Sequence, residues 1–359
     1  MLTFDFLNAR YGDSFLVRWG ASAKHVMLVD GGPSGVYEAS LQSRLSQLPR
    51  NIRGIPQIDV VCLSHLDDDH AVGLLALLRE MRRARQDGLP APFAVTRLWF
   101  NSVEELVDRH SPGLSASVRP LLDRAARTDA AVGANYAKGW AIRDEAAALG
   151  LSGNHPFDGA LAEGSERTLD GLRVTVVAPD TSALKELEQQ WREAERKANP
   201  DVIAAAYKDD KVPNLSSIVL LLRHDGRTAL LTGDARGDHI LAGLRSGGLL
   251  TATAPLHLDL LKLPHHGSNR NVAPDFFDSL HSDHYVVSAD GIKYHHPNED
   301  TLQWLVESRS PDDEYVVHLT NHIPHAVDKL TKLRHGHRFK VDVRASTDPV
   351  LVIGVGDQP

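Results

Sequence analysis

The chain has 359 residues, 42% of them hydrophobic, enough to bury a full core and intermediate between one large α/β domain and two small ones. A formal net charge of −8 and a pI near 6.2 argue against a surface that coats nucleic acid by broad phosphate neutralisation, though not against a local cationic site made by bound metal. The single cysteine, Cys62, excludes an internal disulfide and a thiolate zinc cage.

Met1 to Asp5 runs straight into strand-like sequence with no basic or long apolar leader, so the expectation is a cytoplasmic protein with no membrane span. Residues 1–32 alternate as a β-meander: Leu2, Phe4 and Phe6, then Ser14 to Trp19, then His25 to Val29, closed by Asp30-Gly31-Gly32. A helix carrying Leu41, Leu45 and Leu48 follows, and then a buried strand from Ile58 to Leu63. Directly after it stands Ser64-His65-Leu66-Asp67-Asp68-Asp69-His70. In a tight or extended segment His65, Asp67 and Asp69 project to one side, and His70 adds a fourth donor beside them. One divalent ion does not take four ligands from so short a stretch, because tetrahedral and octahedral geometries need donors from several directions. Two ions sharing one pocket is the economical reading. The plainer alternative is that Asp68 or Asp69 caps the amphipathic helix read over Ala71 to Arg85. It accounts for the carboxylates but not for the flanking histidines.

A strand from Val95 to Phe100 leads into an Ala/Arg-rich helical stretch from Val103 to Leu149. Gly150 to Gly171 reads as loop, Arg173 to Ala178 as strand, and Ser182 to Ala198 as a charged helix with little apolar face, hence solvated surface. Residues 103–149 and 182–213 are read as helical insertions in a single domain spanning 1–359. The second half echoes the first: a hairpin of Ser217 to Arg223 and Thr228 to Leu231 ends in Gly233-Asp234. Two more apolar strands precede His265-His266-Gly267-Ser268 and His295-His296-Pro297. Hairpin-plus-helix halves facing each other predict an α/β fold of αββα layers, with the ligand loops at one edge of two sheets. His318, His322, His325, His335 and His337 show no ligand spacing and are read as surface, as is the helix face bearing Arg79, Arg82, Arg83 and Arg85.

Several segments match a known pattern in order and spacing, over roughly residues 1–100 and 210–300. They are Gly12-Asp13-Ser14, Leu28 to Gly32, His65 to His70, Asn214 to Ser217, Leu231 to Asp234, Leu261 to Ser268, and Ser288 to Gly291 leading to His296-Pro297. As a set they resemble the metallo-β-lactamase-fold hydrolases, and within these the hydrolase domain of ComEC-type competence proteins and its soluble stand-alone relatives. The resemblance implies an αββα metallo-β-lactamase sandwich with helical insertions and two divalent ions, zinc or manganese. His65, Asp67 and Asp234 would hold one, and Asp69, His70, Asp234 and His265 the other, with Asp234 between them. Asp30 would orient a ligand histidine through its other ring nitrogen, where turn chemistry before Gly31-Gly32 offers a plainer role.

Adjacent side chains in an extended segment point apart. His265 and His266 are therefore not easily ligands at once. The resemblance, through the position of the ligand histidine in similar His-x-Gly-Ser/Thr motifs, implies His265 as the ligand and His266 as a substrate-side or supporting group, with the reverse assignment left open. His296, between Gly291 and Pro297, is placed to donate to a phosphate oxygen or protonate a leaving group, or else faces solvent. Asp67 and Asn101 stand where the wider superfamily has histidines, which makes the first site oxygen-rich, weaker and tilted toward manganese. Asp69, His266, His296 and Asp30 form the expected catalytic set.

The implied function is a phosphodiesterase or nuclease that uses metal-bound hydroxide, available once bound water has a pKa near about 7, with single-stranded DNA as a substrate. With 6% aromatic residues the sequence shows no evident stacking platform for bases. Two other readings stand beside it. One is a small-molecule ester or phosphodiester hydrolase with 103–149 as a lid. The other is a metal-binding, non-catalytic module in a defence or toxin system. The oligomeric state has no signature in the sequence.

Overall fold

The computed structural model describes residues 1–151, 153–202 and 215–356; Asn214 and positions 203–213 of the second expected insertion lie outside them. Strands β1 (Leu2–Leu7), β2 (Phe15–Trp19) and β3 (His25–Val29) form the expected meander. Alternation along them sets the layers. Phe15, Val17 and Trp19 of β2 face inward, while Leu16 joins Val26 and Leu28 on the outer face.

The apolar run expected as one strand over 58–63 divides into β4 (Gln57–Ile58) and β5 (Val60–Cys62). Asp59 interrupts it by clamping β3: its amide donates to the Val26 carbonyl and its Oδ2 accepts the Val26 amide, both at 2.9 Å. The run over 95–100 divides likewise into β6 (Ala94–Val95), which pairs with β4, and β7 (Leu98–Trp99), which pairs with β5. Helices α1 (Gln42–Ser46) and α2 (Asp68–Gln86) cover the outer face of this sheet.

Beyond the insertion come β8 (Glu166–Leu169), inside the stretch expected to be loop, β9 (Leu172–Ala178), β10 (Val219–His224) and β11 (Arg227–Leu231). They are followed by β12 (Leu256–Lys262), β13 (Leu280–Val287), β14 (Val316–Leu319), β15 (Lys340–Val343) and β16 (Val350–Val355). Among the described residues one sheet runs β16-β1-β2-β3-β5-β7 and the other β15-β14-β13-β12-β11-β10-β9-β8. The expected echo is visible in the pairing. An antiparallel β2–β3 pair continues into parallel β5, and an antiparallel β10–β11 pair continues into parallel β12. Phe4, Phe6, Val17 and Trp19 from one sheet interlock with Val174, Val176, Leu220 and Leu222 from the other to form the central apolar layer.

The 103–149 insertion folds as α3 (Val103–His110), α4 (Leu114–Thr128) and α5 (Ala130–Leu149). Helix α6 (Thr181–Lys197) corrects the expectation of a solvated surface. Leu184, Leu187, Trp191 and Ala194, spaced three or four apart, are buried with Val118, Leu122 and Ala125 of α4. Charged residues fill the rest of that helix and hide the narrow stripe from a composition-based reading.

The arginine face of α2 is solvated as expected, with Arg79, Arg83 and Arg85 exposed and Arg82 half-buried. Arg82 lies 3.4 Å from Glu145 and Arg85 donates to the Ala148 carbonyl at 2.7 Å, which ties α2 to α5. His318, by contrast, is not a surface residue. It is buried on β14, hydrogen-bonded to His284 at 3.0 Å and to Asp342 at 2.9 Å. The layers close with α7 (Gly237–Ser246), α8 (Pro274–Ser279), α9 (Glu299–Glu307) and α10 (Pro324–Leu333). No helix among the described residues is long and apolar enough to cross a membrane.

Candidate metal centre

Loops leaving the C-terminal ends of β3, β5, β11, β12 and β13 meet at one edge of the two sheets, where strand ends hold the backbone still and side chains converge. Asp30, immediately after β3, takes a left-handed φ of 57°. That turns its carboxylate onto Ser64, whose amide and hydroxyl both donate to it at 2.7 Å, and onto His70 Nδ1 at 2.8 Å. With Nδ1 engaged, His70 presents Nε2 toward Asp234 Oδ1 at 3.3 Å. This arrangement requires Gly31, whose amide donates to the His70 carbonyl at 2.7 Å. A Cβ there would collide with the backbone of Leu74.

The sequence offered Asp68 or Asp69 as the cap of α2, but the capping position is Asp67, and its side chain makes no cap hydrogen bond. Its Oδ2 instead lies 3.6 Å from His65 Nε2. Asp234 follows β11 through Gly233, at φ 50°, and is pinned by its amide on Ser217 Oγ (3.1 Å) and its carbonyl under Asn271 Nδ2 (3.1 Å). Four histidine Nε2 atoms surround its carboxylate: His70 as above, His65 at 3.7 Å, His265 at 3.6 Å and His266 at 3.6 Å.

The convergence of both His265 and His266 differs from the expectation that neighbours point apart. That expectation assumed extended backbone. His265 (φ 45°), His266 (φ 57°) and Gly267 (φ 84°) are all left-handed, so the turn swings both rings to the same side. Each ring is fixed by its other nitrogen, His265 Nδ1 on Asn271 Oδ1 at 2.7 Å and His266 Nδ1 on the Ser288 carbonyl at 2.8 Å. His266 is buried and lies 3.6 Å from Asp69 Oδ2, whereas the His265 side chain is 24% exposed toward the mouth.

Burial by itself would raise the Asp69 carboxyl, but the neighbouring His266 and His70 hold it down at about 2. Asp234 is likewise held well below the usual carboxylate range against its burial, chiefly by His70 and His265. Burial opposes protonation of His266, yet Asp234 and Asp13 push it up to about 10. His70 is raised well above its ordinary value by Asp234 and Asp30, again against burial. His296 goes the other way, down to about 4, through burial and the neighbouring His265 and His266.

The donor set suits divalent cations. The Nε2 atoms of His65, His70 and His266 and Oδ1 of Asp234 are buried with no hydrogen-bond partner, and they share one pocket. Ligand atoms of His65, His70 and Asp234 lie within 4.8 Å of one another, as do those of Asp69, His70 and His266. Such atoms, left dry and unpaired, are costly unless a cation takes them. Asn101 does not join them. Its amide donates to the Leu161 carbonyl at 2.7 Å and accepts the Leu161 amide at 2.8 Å, so the side chain imitates a strand partner and is engaged with the 161 loop.

Two residues behind the centre carried no role in the sequence reading. Asp13 is buried against Lys262 Nζ, 3.4 Å from His266 Nδ1 and 3.9 Å from His70 Nδ1. Lys262 also donates to the Gly233 carbonyl at 3.3 Å. A lysine between Leu261 and Leu263 was the available signal, because a charge inside an apolar run has to find a buried partner. In front of the centre opens a cavity of about 630 Å³ whose walls include Tyr11, Arg270, Lys293, Tyr294 and His296.

Asp30→Ala leaves His70 Nδ1 without its acceptor and should lower metal affinity or activity about 10–100-fold with the fold intact. A metal titration alongside circular dichroism checks this.

Residues 7–81 match the family model of the Metallo-beta-lactamase superfamily. A stretch of 105 residues is 29% identical to ComE operon protein 3 of Bacillus subtilis (strain 168); it covers 29% of this chain and 13% of that protein's length. Among solved structures, the Zn(2+)-bound PqqB of Methylobacterium extorquens aligns with 98% of this chain and 99% of its own at 14% identity and a TM-score of 0.42. CmlA, a diiron beta-hydroxylase of Streptomyces venezuelae, aligns with 97% of this chain and 54% of its own at 13% identity and a TM-score of 0.41. The family match spans the first strands and the His65–His70 segment, and over those residues the chain is similar to the metallo-β-lactamase superfamily, with a mixed α/β fold of two facing sheets between helical layers.

Proposed function

We propose that the protein is a metal-dependent hydrolase of phosphodiesters that works with two divalent ions, zinc or manganese. The observation that carries this reading is the set of buried, unpartnered histidine Nε2 atoms facing Asp234. His65, Asp67 and Asp234 would hold one ion, and Asp69, His70, His266 and Asp234 the other. His266 takes the place that the resemblance assigned to His265, because His266 is the one beside Asp69. The first set has one imidazole and two carboxylates and favours manganese over zinc. When bound, the ions supply Lewis acidity and a water acidic enough to serve as nucleophile near neutral pH.

The chain's own residues do the rest. Asp30 keeps the His70 ring oriented, and Asn271 and the Ser288 carbonyl keep His265 and His266 oriented. His265, on the open side, faces the substrate. His296 is neutral near pH 7 and so acts as a hydrogen-bond donor to a phosphoryl oxygen rather than as the acid that protonates a leaving group. Single-stranded DNA is the substrate that the likeness to competence hydrolases suggests.

The test uses metal-loaded protein on labelled single-stranded DNA and on bis-(4-nitrophenyl) phosphate, with Asp69→Ala as control. Turnover of at least one substrate, absent in the variant, is the expected result; full activity in Asp69→Ala sinks the mechanism. A second reading, a small-diester hydrolase with a helical lid, draws on the contact of α5 with the site. Lys138 pairs with Asp68, and Gly139 packs on Leu66. Turnover of the small diester with DNA untouched would select it.

A further inference from the structure

The mouth of the metal cavity carries two cations that the proposed chemistry does not use. Lys293 stands on the loop after β13 and Arg270 on the turn after His266, and both line the same cavity. Neither enters an ion pair among the described residues, although Asp67, Asp68 and Asp69 line the same cavity.

Their loops are tied together. Asn269 donates from its amide to Asn298 Oδ1 at 2.9 Å and from its side chain to Asp300 at 3.1 Å, while the Asn298 amide donates to the Gly267 carbonyl at 3.0 Å. Lys293 is also braced: its Nζ lies 4.1 Å from the ring centre of Tyr11 and 4.8 Å from that of Tyr294. The two rings meet edge to face at 5.8 Å. A lysine held over two aromatic faces gives up less side-chain freedom when it meets an anion than a free one does. The neighbouring Tyr294 side chain keeps its ammonium charged to higher pH than usual.

We infer that Lys293 and Arg270 form an anion subsite at the mouth that takes a phosphate other than the one being cleaved. The substrate then carries at least two neighbouring phosphates. This rests on the phosphodiester reading above and adds to it a position and two residues. The separation of roles follows from placement. Of the groups that would hold the ions, His65, His70, Asp234 and His266 are buried and Asp67 and Asp69 half-buried, whereas Lys293 and Arg270 are exposed at the rim. Tyr11 and Tyr294 act through Lys293 as positioning residues.

The test measures binding of a fluorescent, phosphorothioate-linked oligothymidylate to metal-loaded protein across a salt series. Lys293→Ala should weaken binding about fivefold and flatten the salt slope by about 0.7, the value for one lost phosphate contact on a single strand. Lys293→Arg should restore both, and Arg270→Ala should repeat the loss. In turnover, Lys293→Ala should lower kcat/KM for an unmodified oligonucleotide about fivefold more than for bis-(4-nitrophenyl) phosphate. Unchanged affinity and salt slope in both alanine variants would overturn the subsite. So would equal losses on the two substrates, which would place Lys293 on the scissile phosphate. Failure of the wild-type protein to bind the oligonucleotide would also overturn it. Lysine-dependent binding without turnover under any metal would instead fault the hydrolase reading and leave the subsite standing.

Discussion

Asp234→Asn should strip the centre of its metals and reduce hydrolysis about 10²–10³-fold, the scale seen when a charge-stabilising group is removed from a dry site. Four histidine Nε2 atoms lie 3.3–3.7 Å from this one carboxylate, and both proposed ion positions draw on it. Asparagine keeps the shape and the Ser217 and Asn271 contacts, which involve the main chain of residue 234, so the fold should persist. What disappears is the negative charge that offsets two cations, and a neutral amide cannot replace it. Elemental analysis of protein purified without chelator, with thermal unfolding as a control, reads the result. Two ions per chain in Asp234→Asn would mean that this carboxylate does not join the sites.

Asp13→Ala should cost about 3–5 kcal/mol of stability, the usual loss when one partner of a buried ion pair is removed. Asp13 and Lys262 are each about 1% exposed, so deleting the carboxylate leaves an ammonium with no water and only the Gly233 carbonyl at 3.3 Å. Adding Lys262→Met should recover most of the loss, because an apolar pair of similar volume no longer needs solvation. Chemical denaturation of the single and double variants measures both. Burial would raise the Asp13 carboxyl, but Lys262 and His266 hold it below its ordinary value. A depressed carboxyl adds stability above the unfolded pKa of about 4, and that stability is lost as pH falls through the folded value. Asp13→Ala should therefore show a shallower loss of stability below about pH 4 than the wild type. A variant as stable as the wild type at neutral pH would show that Lys262 has another partner.

Period-2 alternation in 1–32, the hairpin at 217–231 and the ligand-rich segment after the apolar run at 58–63 were legible because each depends on neighbours in the chain. Helix α6 was misread for the opposite reason. Its apolar stripe is narrow, and its worth depends on α4, which lies far away in sequence. His318 looked like surface because its partners, His284 and Asp342, sit on adjacent strands that the sequence does not announce. Asn101 looked like a ligand position until the loop at Leu161 closed on its amide.

By itself the order of residues determined the chemistry available: histidines and carboxylates at strand ends, a lone cysteine and a hairpin-plus-helix pattern used twice. Only the folded chain decided how those groups share their work. Left-handed backbone at 265–267 turns two adjacent rings to one side, and the Asp13–Lys262 pair sits behind them. Lys293 is held at the rim by tyrosines 282 residues and one residue away in the chain. Side-chain direction is set by local φ and ψ together with packing from distant segments, and neither is written in residue identity alone.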